Sequence, residues 1–261
     1  MRQENLIYNK QSGVAFITIN RPDSENRINE ALSQDMREVV SDISKDEDIS
    51  VVVLTSVGDI FCMGDDEPLR DIQGKLSSND LETYLKNNMV ASAISSLEKP
   101  VICALNGHAI SHGLELALAC DIRISSNRSF FGFPGISEGS MPWDGGTQRL
   151  PRSIGLAWGM DLLLTGRLVN AKEALKIGLV HKVIPKTKVL GEAFSLANKI
   201  ALMAPIATRY MKEAINKGMD LTLEQGMRLE ADLNIILQTT IDRAEGINSF
   251  LERRAPLFKG E

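Results

Sequence analysis

Along the chain, β-branched runs alternate with stretches in which apolar residues recur every third or fourth position. Val14-Ala15-Phe16-Ile17-Thr18-Ile19 reads as a strand that stops at Asn20-Arg21-Pro22. Leu32, Met36, Val39, Val40 and Ile43 then follow at helical spacing, and Val51 to Leu54 is a second β-branched run. Strand, helix and strand in that order predict a right-handed crossover and a largely parallel sheet. Ligands bind at the carboxyl ends of such strands. From Leu81 onward, Leu85, Met89, Val90, Ile94 and Leu97 repeat as one helix face leading into Lys99-Pro100. Val101 to Leu105 is an apolar run stopped by Asn106-Gly107, a buried strand ended by a turn.

Gly113 then opens a short helical pattern with Leu114, Leu116, Ala117 and Leu118 apolar and Glu115 in the first turn. The free N–H groups of a helix start suit an anion or a developing oxyanion. A carboxylate in the same turn is what proton transfer beside that oxyanion needs. The plainer reading is that Glu115 complements the helix dipole.

Farther on the pattern becomes helical. Asn170-Ala171-Lys172-Glu173 resembles a capping box and Gly178 a helix stop, with a short strand from Val180 to Ile184 closed by Pro185. From Val189 to Phe258 three amphipathic helices are expected, interrupted at Pro205 and at the Gly218–Leu221 turn. The expected organisation is therefore an α/β core over residues 1–188 and a helical region over 189–261.

Composition narrows the function classes. A chain of 261 residues with 43% hydrophobic content can bury a large core. A net charge of −5, with scattered Lys and Arg, leaves no basic footprint for nucleic acid. Cys62, Cys103 and Cys120 lack metal-ligand spacing and read as buried, reduced thiols. Met1 to Lys10 lacks the apolar core of a signal peptide, and no apolar stretch is long enough to span a bilayer, so a cytoplasmic protein is expected. Asp65, Asp66, Glu67 and Asp71 form an acidic cluster without a neighbouring His, which reads as a solvated loop and not a metal site. A GxGxxG phosphate fingerprint is absent.

Several segments together resemble the crotonase (enoyl-CoA hydratase/isomerase) superfamily. They are Asn20-Arg21-Pro22 with Asn26 and Asn29, Phe61-Cys62-Met63-Gly64-Asp65-Asp66, and Asn106-Gly107 with the small-residue turn before Leu114-Glu115-Leu116-Ala117. Cys120-Asp121-Ile122-Arg123, Gly145-Gly146-Thr147-Gln148-Arg149-Leu150, Leu164-Thr165-Gly166-Arg167 through Gly178-Leu179-Val180, and Phe250-Leu251-Glu252-Arg253-Arg254 continue the match. The resemblance implies a crotonase-type ββα spiral core with a C-terminal helical trimerisation region, giving a homotrimer or a dimer of trimers. Leu229, Leu233, Ile235, Ile236 and Leu237 would supply apolar positions to that interface.

It also implies a CoA-thioester enzyme that stabilises an enolate, with no metal and no redox cofactor. By position, the backbone N–H groups of Met63 and His112 form the oxyanion hole, although both residues are bulkier than the family's usual ones. The first catalytic glutamate falls on Glu115. The second falls in a Pro-Glu pair that here reads Pro134-Gly135, so it is missing. Asp144, on the Pro142-Trp143-Asp144-Gly145-Gly146 loop, is the expected substitute, and Glu138 is a weaker candidate. Met89, Gly135, Trp143 and Glu138 are expected around the acyl group, and Asn26, Arg27, Asp65, Phe250 and Lys259 around CoA. His108 reads as structural.

Hydration of an enoyl- or dienoyl-CoA is the first expectation, with a cyclic acyl group suggested by Gly135, Trp143 and Met63. Double-bond isomerisation and C–C hydrolysis of a cyclic β-diketone are the alternatives within the family. A catalytically weak acyl-CoA- or RNA-binding relative is the alternative outside enzymes.

Overall fold

A computed structural model describes residues 4–67 and 77–261. Asp71, part of the acidic cluster, and the first residues of the leader reading lie outside the described residues.

Leu6–Gln11 (β1) and Val14–Ile19 (β2) form a hairpin whose turn, Ser12 and Gly13, takes positive φ at both residues. Glu30–Lys45 (α1) then carries the chain across to Val51–Ser56 (β3), which pairs parallel with β2. The strand–helix–strand order and the parallel pairing are therefore as the pattern predicts. The Asn29 side chain accepts the Leu32 N–H at the start of α1. At its other end, the Lys99 ammonium donates to the Ile43 and Asp46 carbonyls at 2.6 and 2.5 Å. Those oxygens lie at the end of α1, where the backbone otherwise gives Ile43 only a 3.3 Å bond from Asp46 and gives Asp46 a 3.1 Å bond from Ile49.

Ser78–Asn88 (α2) and Val90–Ser95 (α3) replace the single helix expected from Leu81 onward, with the break at Met89. Val101–Leu105 (β4) follows, and Ala109–Ile110 (β5) leads into His112–Leu118 (α4), in which every residue is buried. Ile122–Ser126 (β6) and Phe130–Gly132 (β7) precede Gly146–Ile154 (α5) and Leu156–Thr165 (α6). Val169–Asn170 (β8), Ala171–Lys176 (α7) and Lys182–Ile184 (β9) come next. Asn170 caps α7 through the Glu173 N–H, and Gly178 takes the left-handed conformation just past the helix end.

The main sheet runs β1-β2-β3-β4-β6-β9, and a small second sheet runs β5-β7-β8. Alternate side chains of the main sheet enter two cores. Ala15, Ile17, Val52, Leu54, Cys103 and Leu105 face one, and Val14, Val51, Val53, Ile102 and Ala104 face the other. Covering both faces explains why these strands read as continuous apolar runs.

The second core is closed by Val189, Ala193 and Ala197 of Val189–Ala201 (α8). This helix packs on the sheet, so the packed unit extends beyond residue 188, where a boundary was expected. Past it lie Pro205–Gly218 (α9), Leu223–Leu237 (α10) and Ile241–Glu252 (α11). Four helices thus occupy the stretch expected to hold three. The missed break is at Thr239-Thr240, where the Thr240 hydroxyl accepts the Arg243 N–H and starts a new helix. No single helix among the described residues is long and apolar enough to cross a membrane.

Candidate active site

Three loops are laced together where β5 runs into α4. The Ile28 N–H donates to the Gly64 carbonyl, and the Asp66 N–H donates back to Ile28, both at 2.8 Å. Phe61 and Cys62 donate to the His108 carbonyl at 3.0 Å, and Ile110 donates to the Cys62 carbonyl at 3.0 Å. The approach is so close that a Cβ on Gly113 would lie 2.3 Å from the Cys62 carbonyl oxygen. Only glycine fits there. Ser111 sits at φ +50°, a left-handed conformation that costs a non-glycine residue about 1–3 kcal/mol. That turn sets the direction of the first α4 amides, which have no intrahelical acceptor. Among the described residues, the Met63 N–H has one acceptor, the Glu25 carbonyl, in a long bond of 3.3 Å.

Glu115 is 1% exposed. Its Oε1 accepts the backbone N–H groups of Asp144 and Gly146, both at 2.8 Å. Gly146 must be small, since a Cβ there would meet Pro142 at 2.7 Å and the Glu115 Cγ at 3.1 Å. Burial raises the Glu115 pKa; the charge of His112 and the two amide bonds oppose that rise.

The Asp144 carboxylate does not reach the cavity, which corrects its expected role as a direct proton carrier. It is fully buried and accepts the Ala91 N–H at 2.7 Å, the Ser92 N–H at 3.0 Å and the Ser92 hydroxyl at 2.5 Å. Those bonds start α3 and explain the break at Met89, because a distant carboxylate takes amides that a continuous helix would use internally. The remaining partner of Asp144 is His112, whose Nε2 lies 3.1 Å away. On the other edge of that ring, Nδ1 is 2.6 Å from Asp65. Burial alone would lower the His112 pKa, but Asp65, Asp144 and Glu115 outweigh it and push it up to about 10. The imidazole is thus engaged through its side chain as well as its backbone, packed 4.5 Å from the Trp143 ring centroid.

A cavity of about 360 Å³ opens over this network. Met63, His112, Glu115, Gly135, Glu138 and Trp143 all line it, so the structure gathers most of the expected residues in one place. Nothing crowds Gly135, whose nearest neighbour to an added Cβ is Ser140 at 3.4 Å. Met89 is not among the lining residues; it is half-buried at the junction of α2 and α3.

The residues expected around CoA divide. Arg27 and Asp65 line the cavity, with Arg27 paired to Glu25 at 2.8 Å and Asp65 committed to His112. Asn26 is buried, and its side chain bonds to Val57, Ile60 and Arg21 backbone, so it shapes its loop and touches no ligand space. Phe250, 81% exposed on α11, and Lys259 near the end of the chain lie outside this cavity. His108 is structural as expected, accepting the Phe130 N–H on Nδ1 at 3.0 Å. Asp66 bonds to Arg21 at 2.7 Å. Sequence reasoning missed Ser92 and the pairing of Asp65 with His112, since neither carries a local signal.

A carboxylate buried beside outward-facing amides, at the carboxyl end of a parallel sheet, defines a site for acyl-group chemistry through an oxyanion. The enoyl-CoA hydratase/isomerase family model matches residues 9–261, and the chain belongs to that family, the crotonase superfamily. It is an enzyme of the enoyl-CoA hydratase type, a hydro-lyase. It is 39% identical to the (E)-benzylidenesuccinyl-CoA hydratase of Thauera aromatica over 252 residues, covering 95% of this chain and 96% of that protein. With the short-chain-enoyl-CoA hydratase of Clostridium acetobutylicum it shares 36% identity, over 97% of each chain. Among solved structures, the enoyl-CoA hydratase of Bacillus anthracis superposes with a TM-score of 0.93 at 34% identity, covering 99% of this chain and all of that one. The crotonase-type fold read from the sequence is borne out.

Proposed function

We propose that the protein hydrates an enoyl-CoA whose acyl group carries a ring or an extended conjugated system, with Glu115 as the only proton carrier inside the pocket. The thioester oxygen would lie between the Met63 and His112 amides, with the Glu25 carbonyl giving up its long bond to Met63. Both amide bonds to Glu115 fall on Oε1, which leaves Oε2 for water. Glu115 takes a proton from water as the water oxygen bonds to the β-carbon. The π electrons move onto the thioester oxygen as an enolate, and the same proton returns to the α-carbon. One water adds across one double bond, so the step needs neither an oxidant nor a metal.

The observation that carries the ring is the pairing of Gly135 and Trp143 on the cavity wall. One leaves space and the other offers a flat apolar face. The relative from Thauera aromatica is named for an acyl-CoA with a benzylidene group, which supports the same reading. Extra apolar contact of a few methylenes is worth ~1–3 kcal/mol, so kcat/KM for an alicyclic or aryl enoyl-CoA should exceed that for crotonyl-CoA by at least ~10-fold. A preference for crotonyl-CoA overturns the ring assignment. The proposal extends to a homotrimer or dimer of trimers, in which Phe250 and Lys259 would meet CoA in a neighbouring subunit's site.

A further inference from the structure

His112 stands between two carboxylates, one on each ring nitrogen, and that geometry favours its charged form. The other partners of the Asp144 carboxylate, the Ala91 and Ser92 N–H groups and the Ser92 hydroxyl, all donate to it, so it serves this network as an acceptor. Asp65 faces the opposite ring nitrogen at 2.6 Å. A neutral imidazole has a single N–H and would turn a lone pair toward one of the two oxygens. The imidazolium, with two N–H groups, donates to both carboxylates at once. The ring is buried, and it stands one helical turn before Glu115 at the start of the same helix.

Resting on the hydratase reading above, we propose that the Asp65–His112–Asp144 cluster supplies the reaction with a buried fixed cation. The imidazolium holds Glu115 in its carboxylate form and stabilises negative charge building on the thioester oxygen. His112 is then a positioning and electrostatic residue through its ring, in addition to what its backbone N–H does. A fixed charge in a dry site acts without reorganisation at the moment of reaction, which is where electrostatic stabilisation is worth most. It also accounts for a base that functions while buried: burial raises the Glu115 pKa, and the His112 charge is the largest influence opposing it.

The charged groups facing His112 come from every element around it. They are Asp65 from the oxyanion loop, Asp144 from the loop before α5, and Glu115 from α4. Arg27 donates to the Asp65 carbonyl at 3.4 Å, and Arg149 to the Asp144 carbonyl at 2.6 Å. Loss of the imidazolium removes the charge that lowers the Glu115 pKa and leaves Asp144, which raises it, unneutralised, so that loss pushes the Glu115 pKa up.

The experiment is a pH profile of kcat/KM for the wild type and His112→Gln, which keeps the backbone N–H and most of the side-chain size. The acid limb, set by Glu115, should move to higher pH by about one unit or more, and turnover at neutral pH should fall ~10-fold or more. A limb that stays in place overturns the proposal whatever happens to turnover, because a merely structural histidine would change the rate without moving it. The chain has three histidines, so ring NMR can follow His112 directly and independently of activity. Its signals should remain those of an imidazolium well above neutral pH, and Asp65→Asn should lower the pH at which they titrate. A wild-type ring that titrates near 6.5, the ordinary histidine value, overturns the proposal even if His112→Gln does not fold. Failure of the wild type to hydrate any enoyl-CoA would instead overturn the hydratase reading.

Discussion

Two glutamates line the cavity, and their surroundings assign them different work. Glu115 is buried with one oxygen fixed by two amides, whereas Glu138 sits exposed at the rim. Glu115→Gln keeps the shape and removes the proton carrier, so steady-state turnover should fall ~100-fold or more while acyl-CoA affinity changes little. Glu138→Gln should alter turnover less than ~3-fold in the same assay, and a larger loss would make Glu138 a second carrier. Glu115 was legible in the sequence because a Glu inside a run of Leu and Ala is out of place unless it is used. Asp144 was placed by its loop in the family resemblance and not by such a local signal. A carboxylate on the right loop was assumed to face substrate, while Ser92 and His112, which turn it inward, are far away along the chain.

At the scale of elements, the outcome depends on how local each signal is. The helix α1 and strands β2, β3 and β4 were readable because their periodicity and caps lie within the segments themselves. The start of α3 was not, because its capping carboxylate comes from 53 residues downstream and α3 has no side-chain cap of its own. The turn before α4 also depends on a distant element, the oxyanion loop. Gly113→Ala would place a methyl against the Cys62 carbonyl and force that loop away from the α4 amides. Crowding of this kind costs ~1–3 kcal/mol, so the urea midpoint should drop. Turnover should fall ~10-fold or more, because misplaced donors lose much of the oxyanion stabilisation. Unchanged turnover with the expected loss of stability would separate the loop's position from the chemistry.

For the whole molecule, the main sheet is covered on both faces within one chain, while the last three helices leave much apolar surface uncovered. Met211, Ile215 and Met219 on and just after α9, Met227, Ile235 and Ile236 on α10, and Phe250 and Leu251 on α11 are all exposed. Leu233, expected at an interface, is instead buried within the chain. Isolated apolar residues on a surface are ordinary, but three consecutive helices carrying them fit the oligomer proposed above. Light scattering should return a trimer or hexamer with no active monomer, and a stable active monomer would exclude the arrangement. The apolar spacing of these helices was visible in the sequence; which side faces inward was not, because that depends on how α9 and α10 pack on each other.

One further consequence follows from the Asp144–Gly146 segment. It is tied to Glu115 by two amides, to α3 by three bonds and to Arg149 by its own carbonyl. The segment itself lies behind the cavity lining, next to Trp143, and so many anchors leave it little freedom to swing aside. The gap beside Trp143 is then set before substrate arrives, and acyl groups too wide for it should be turned away whatever their chemistry.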